Sequence, residues 1–185
     1  MDSNRNKKKK LLIGFDFSFS YPFYDKSSYF PGIKDSPSTP FNLWKLINNI
    51  NYNKDNYYGG GIWSEKPYLN FYNAPGLKGI YYKSRRRITE IHAKEKIHSP
   101  SPTFNCVGPG AVGTGTLAGM RFLNSLKNEI NIWPFNNKLN IKSSVAVEIF
   151  PTYYFRMFGT KPVKNIGYTM KQINRTLNCF ESNNL

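Results

Sequence analysis

The chain has few acids, cysteines and histidines, and it has no long apolar run. Only two of its 185 residues are cysteine. A small secreted domain stapled by disulfides needs more of them at closer spacing, so that class is excluded. Cys106 and Cys179 lie far apart with no C-x-x-C pattern, and both read as small buried hydrophobes in a reducing compartment. The two histidines, His92 and His98, have no cysteine or further histidine at ligand spacing, so zinc is not expected. The earliest apolar stretch, Leu11-Leu12-Ile13-Gly14-Phe15, is interrupted by Asp16 after five residues. A signal peptide needs about 7–15 apolar residues and a spanning helix about 20. Neither is found, and no amphipathic basic helix stands out, so the reading is a cytoplasmic protein without a membrane role. Internal repeats are also lacking.

The scarcity of acids has a positive side. The chain carries 26 Lys+Arg against 11 Asp+Glu, a formal charge of +15. That excess attracts polyanions at long range and points to nucleic acid, DNA or RNA, as a partner. Abundant Lys and Asn are also what an AT-rich genome produces, so the charge alone does not decide the matter. Aromatics make up 16% of the residues, far more than a disordered basic segment holds, so most of the chain is expected to fold. Residues 1–10, ending in Lys7-Lys8-Lys9-Lys10, read as a basic disordered tail, and residues 11–185 as one domain.

Strand and helix signals alternate, which predicts an α/β fold. Leu11 to Phe17 reads as a buried strand, and Thr39-Pro40 as an N-cap followed by proline at the first helical position. Leu43, Trp44, Ile47 and Ile50 form the apolar stripe of that helix. Residues 51–83 lack a period and read as a long surface excursion. Arg85 to Lys96 suggests a short helix carrying Ile88 and Ile91. Thr103 to Val107 suggests a short strand. A glycine-rich loop then leads into a helix from Thr116, with Leu117, Met120, Leu123 and Leu126 on one face. Ile130 to Phe135 suggests a strand stopped by Asn136-Asn137. Val145 to Phe150 is the clearest strand, ended by Pro151, and Ile166, Met170, Ile173, Leu177 and Phe180 repeat with a 3.6 period in a last helix.

Three features carry candidate chemistry. Asp16 and Glu148 each sit in an apolar strand pattern, where an acid must be paired, protonated or metal-bound. Two converging carboxylates suit Mg2+ or Mn2+, while an ion pair with one of the many cations is the alternative. Arg85-Arg86-Arg87-Ile88-Thr89-Glu90 offers guanidinium forks for phosphate, with Tyr81 and Tyr82 close by in sequence for stacking. The alternative there is a solvated turn with Glu90 as a local partner. Gly108 to Gly115 contains G-x-G-x-x-G, but no acid follows the next strand and no Gly-Lys-Ser/Thr ending is present, so neither a dinucleotide site nor a P-loop is expected. Backbone N–H groups for an anion, or tight packing of loop against sheet, remain. No G-x-S-x-G elbow supports a serine hydrolase.

These blocks, taken in order, resemble a known family. Gly14-Phe15-Asp16-Phe17-Ser18-Phe19-Ser20-Tyr21-Pro22 resembles its G-F-D-F-P/S-F-G/S-Y/F-P element. Arg86-Arg87-Ile88-Thr89-Glu90, Gly108 to Met120, Ile132-Trp133-Pro134-Phe135 and Val147-Glu148-Ile149-Phe150-Pro151 are similar to its four further blocks. The family is the domain-of-unknown-function family four-two-nine, predicted nucleases with an RNase H-like fold. The resemblance implies an RNase H-like mixed sheet flanked by helices and metal-dependent cleavage of phosphodiester bonds. It implies Asp16 and Glu148 as Mg2+ or Mn2+ ligands, with Glu90 as a further acid. Arg86 and Arg87 would contact phosphate, and Gly110, Gly113, Thr114 and Gly115 would approach it. Family members begin with further strands bearing an early Asp, so the expectation here is a domain missing its N-terminal strands. Such a chain would be inactive alone, self-associating, or completed by a missing N-terminal fragment. Two other readings stand beside the nuclease: a non-catalytic nucleic-acid-binding remnant, and an enzyme acting on a small phosphorylated or acidic metabolite in a closed pocket under residues 51–83.

Overall fold

A computed structural model describes residues 9–136 and 143–183. The expected tail at 1–10 therefore lies outside the described residues except for Lys9 and Lys10, and so does Asn137 of the expected strand stop. The described residues form a mixed α/β fold with five helices, a three-stranded parallel sheet and a two-stranded antiparallel pair.

The sheet consists of β1 (Leu12–Phe15), β4 (Asn131–Trp133) and β5 (Val145–Glu148), in the order β1-β5-β4. Its register pairs Leu12 with Val145 and Phe15 with Glu148 on one side of β5, and Asn131 with Val145 on the other. β1 and β5 therefore end level with each other, which places the residues that follow β1 beside Glu148. β1 is less covered than its apolar sequence suggested. Leu11, Leu12 and Gly14 are exposed, while Ile13 and Phe15 are half-buried. Only one of its faces is packed, because side chains alternate along a strand.

The first helix, α1 (Pro40–Ile50), begins as its sequence predicts. Thr39 is extended, and its hydroxyl accepts from the Asn42 N–H at 3.2 Å. Leu43, Trp44 and Ile47 are buried against α3 (Gly113–Leu126), which contributes Leu117, Met120 and Leu123. Gly119 lets the two layers close. A Cβ there would stand 2.2 Å from the Phe17 ring, so the ring lies directly on the helix backbone.

Residues 51–83 are only in part a surface excursion. They form two short 3-10 turns, Gly60–Ser64 and Tyr68–Phe71, and the hairpin β2 (Asn73–Ala74) and β3 (Leu77–Lys78). Ile62, Phe71, Tyr72 and Ala74 belong to the core. Tyr21 stacks on Phe104 at 4.3 Å, and Phe30 packs edge-on to Phe71 at 5.3 Å. This aromatic layer is assembled from loops, with Tyr72 donating to Tyr21 at 3.1 Å inside it. The expected strand at 103–107 is reduced to a single bridge, Asn73 to Asn105.

The C-terminal part holds α4 (Pro151–Met157) and α5 (Met170–Ser182). Between them and Ile149 lies an apolar groove of about 370 Å³, lined by Tyr154, Phe155, Ile173, Leu177 and Phe180 among others. The stripe on α5 is thus only partly covered: Met170 and Leu177 are exposed, as is Ile166, which the periodicity assigned to this helix but which precedes it. No helix among the described residues is long and apolar enough to cross a membrane.

Candidate functional site

Three distant segments meet where β1 and β5 end. The first is Asp16–Phe19, directly after β1. The second is the start of α2 (Ile88–Lys96). The third is Glu148, the last residue of β5. The level ends of the two parallel strands bring the first and third together, and Arg87 ties the second to both.

Arg87 occupies the position before the first turn of α2 and uses every nitrogen of its guanidinium. Nη1 donates to Glu148 Oε2 at 2.7 Å and Nη2 to Glu148 Oε1 at 2.6 Å, a two-pronged grip on one carboxylate. Nη2 also reaches the Ser18 hydroxyl at 3.0 Å, and Nε donates to Glu90 Oε1 at 2.8 Å. Glu90 in turn accepts from the Arg87 backbone N–H at 3.0 Å, satisfying a free donor at the helix start. Glu148 also accepts from the Phe19 N–H at 2.9 Å. Glu90 is 3% exposed and the Glu148 side chain 27%. Burial alone would lower the pKa of Arg87, but the two carboxylates outweigh it and raise it.

Asp16 differs from the other two acids. It lies past the end of β1 and is exposed, which corrects the expectation of an acid inside a buried strand. Partial burial raises its carboxyl pKa above the ordinary value, and the nearby charge of Glu148 adds to the rise. Two carboxylates thus share the Arg87 guanidinium, and Asp16 adds a further negative charge near Glu148, in a protein that is otherwise strongly basic.

The arrangement tests the metal expectation. Hard carboxylate oxygens and a net negative charge are what Mg2+ or Mn2+ takes, so the donor chemistry fits such an ion. Asp16 offers its oxygens to solvent, whereas those of Glu148 and Glu90 are engaged by Arg87. Among the described residues, no three His, Cys, Asp or Glu side chains converge as a ready-made metal set. Glu148 therefore stands in the ion-pair arrangement that its sequence context left open, with Asp16 exposed near it and in no salt bridge among the described residues.

Comparison with family models, with curated proteins and with solved structures finds no match to this chain. The reading of the site thus rests on its residues.

The neighbouring arginines have other tasks. Arg86 donates to the Pro100 carbonyl. Arg85 grips Asp25 through Nε at 2.9 Å and Nη2 at 2.7 Å, and also donates to the carbonyls of Pro22, Ser28 and Tyr29. It clamps the loop after β1, and its bonds hold the Asp25 carboxyl below the usual range. Sequence reasoning missed this clamp, and it missed Ser18 and the Phe19 N–H as partners in the cluster. The Phe19 carbonyl is fixed by the Trp44 indole N–H at 2.7 Å, so α1 holds that corner of the site in place.

The glycine-rich loop divides into two parts. Gly108 and Gly110 adopt positive φ, +84° and +72°, as turns require. At Gly113 an added Cβ would meet the Thr103 and Asn105 carbonyl oxygens at 2.7 and 2.8 Å and Cys106 Sγ at 2.4 Å. Tight packing accounts for that glycine. Burial pushes the Cys106 thiol up to about 12, with Trp63 drawing it back slightly, so it stays an inert part of the core. Thr114 and Gly115 are exposed in the first turn of α3, and an added Cβ at Gly115 meets nothing. Gly113→Ala is expected to cost about 1–3 kcal/mol of stability, while Gly115→Ala changes it by less than about 1 kcal/mol. Urea denaturation of the two variants checks this contrast.

Proposed function

We propose that the protein is an RNase H-like, metal-dependent enzyme of the family it resembles, hydrolysing phosphodiester bonds of nucleic acid in the cytoplasm. The observation that carries the reading is the pairing of Glu90 and Glu148 with a single Arg87 at the carboxyl ends of two parallel strands, with Asp16 close enough to Glu148 for their charges to interact. Open α/β sheets bind their ligands at such ends. A site that only gripped phosphate would be positive here. This one has more acids than bases, so it calls for a cation, and the basic remainder of the protein suits the polyanion that the cation would serve.

Asp16 and Glu148 would hold Mg2+ or Mn2+, which supplies water activation and neutralisation of the leaving oxygen. Within the chain, Arg87 and the Phe19 N–H orient Glu148, Ser18 steadies Arg87, and Glu90 anchors Arg87 to α2. Thr114 and Gly115 offer backbone N–H groups at a helix start, where phosphate oxygens are favoured. A specific observation favours a second reading, a nucleic-acid-binding module without catalysis: Arg87 already neutralises Glu148.

One assay separates the two. Purified protein is incubated with labelled single- and double-stranded DNA and RNA, with Mg2+ or Mn2+ and with a chelator. The enzyme reading expects cleavage that needs the metal and is lost on chelation. Salt-sensitive binding without cleavage under any metal condition favours the module instead.

A further inference from the structure

Among the described residues, β1 is the end strand of its sheet and pairs with a neighbour on one edge only, β5. The ladder to β5 uses the Leu11 carbonyl, which accepts from Val145 N–H at 2.8 Å, and the Phe15 carbonyl, which accepts from Ile149 N–H at 3.0 Å. Hydrogen-bonding direction alternates along a strand, so Leu11, Ile13 and Phe15 face β5. Within β1, the N–H and C=O groups of Leu12 and Gly14 therefore face outward. Such an edge is a template for another strand.

The residues flanking this edge are of opposite charge. Lys9 and Lys10 lie at its start and Asp16 at its end, all three exposed. None of the three is in a salt bridge among the described residues. A strand paired antiparallel with its own copy places the start of one against the end of the other. The outward groups at 12 and 14 must fall in hydrogen-bonded pairs. One register that achieves this sets Ile13 on the two-fold axis and Leu12 opposite Gly14 of the second copy, and it brings Lys10, just before the strand, to the level of Asp16 of the second copy, just after it. Leu12 is 76% exposed, and Gly14 has no side chain to meet it.

We infer that the protein forms a two-fold dimer by antiparallel pairing of β1 with β1 of a second copy, joined by two Lys10–Asp16 ion pairs. The result is a continuous six-stranded sheet with an isologous interface. Each acidic cluster then receives a lysine from the other copy, which offsets part of its negative excess. The pairing shares Asp16 with the proposed metal site, but sedimentation reads it whether or not the protein cleaves nucleic acid.

Sedimentation velocity of the full chain over a concentration series, under reducing conditions and after removal of nucleic acid, tests it. Reductant prevents the half-buried Cys179 from linking copies. The expected result is a species of twice the 21.4 kDa chain mass. Lys10→Glu and Asp16→Lys, taken singly, each place like charges opposite one another and are expected to weaken the dimer about tenfold. The double swap Lys10→Glu with Asp16→Lys restores it. Leu12→Pro removes an outward N–H without touching the β5 ladder, and it is expected to weaken the dimer while leaving the circular dichroism spectrum unchanged. A monomer at all concentrations overturns the inference. So does a dimer that ignores the charge swap, or one that vanishes when nucleic acid is removed.

Discussion

Replacing Arg87 by Leu is expected to lower the unfolding free energy by about 3–5 kcal/mol. The reason lies in what is left behind. Glu90 is 3% exposed and Glu148 keeps only a quarter of its surface, so removing their shared partner strands two carboxylates with little water. Four guanidinium hydrogen bonds to Glu148, Glu90 and Ser18 vanish together. Urea denaturation, read through the midpoint at constant slope, measures the loss. Removing the charges together is expected to cost much less. The triple change Arg87→Leu, Glu90→Leu, Glu148→Leu leaves no buried charge unpaired, although it gives up the Glu90 contact that satisfies the start of α2. A triple variant as unstable as Arg87→Leu alone would mean that the geometry of this corner, rather than its charge, sets the stability.

The milder Arg87→Gln variant links this result to the proposed ion. It frees the Glu148 oxygens beside Asp16 and leaves the local negative charge uncompensated. Mg2+ or Mn2+ is then expected to raise the melting temperature of Arg87→Gln more than that of the unaltered protein, since a ligand of the native state alone stabilises it by mass action.

How much of this was legible in the sequence depends on whether an element has a local cause. α1 was legible because Thr39, Pro40 and the Leu43–Trp44–Ile47 stripe act within a few residues of one another. The parallel strands at Val145 and Leu12 were legible as short apolar runs. Burial was not, since it depends on what packs against a face. The runs at Leu11–Leu12 and at Met170 and Leu177 look like core residues, yet they are exposed, because the first sits on a sheet edge and the second borders an open groove. In α2 the pattern is reversed. Ile88 and Ile91 face solvent, while Glu90 and Ala93 are buried, because Arg87 draws Glu90 inward. Residues 51–83 misled for another reason. An aromatic layer built from loops has no period to detect, so Ile62, Phe71 and Tyr72 enter the core without any repeating signal. Asp16 and Glu148 stood out because acids are scarce in this chain and apolar neighbours flank both. That Arg87 would join them, and that Arg85 would serve a loop instead, depends on a register between strands over a hundred residues apart.

Asp16→Asn is expected to separate function from folding. Asp16 makes no salt bridge among the described residues, and burial and the Glu148 charge hold its pKa above the ordinary value. The native state therefore disfavours its ionised form. A raised acid contributes against stability as pH climbs from its unfolded value through its folded one, and the penalty is fully present above that window. At concentrations too low for the dimer, removing the charge should thus leave the melting temperature equal or slightly higher at neutral pH, with the gain over the unaltered protein shrinking towards zero in mild acid. Glu148→Gln should do the reverse, because it breaks the two-pronged contact with Arg87 and lowers the melting temperature. If Asp16 holds the cation of a hydrolytic site, Asp16→Asn also loses at least about a hundredfold in metal-dependent cleavage, equivalent to about 2.7 kcal/mol of transition-state stabilisation. Thermal melts from pH 4 to 8, run beside cleavage assays, read both effects. A variant that melts no lower and cleaves no more slowly would remove Asp16 from the site. A variant that loses stability and activity together would make Asp16 a structural residue. An acid that costs the fold something and is needed for turnover is the signature expected of a residue kept for its chemistry.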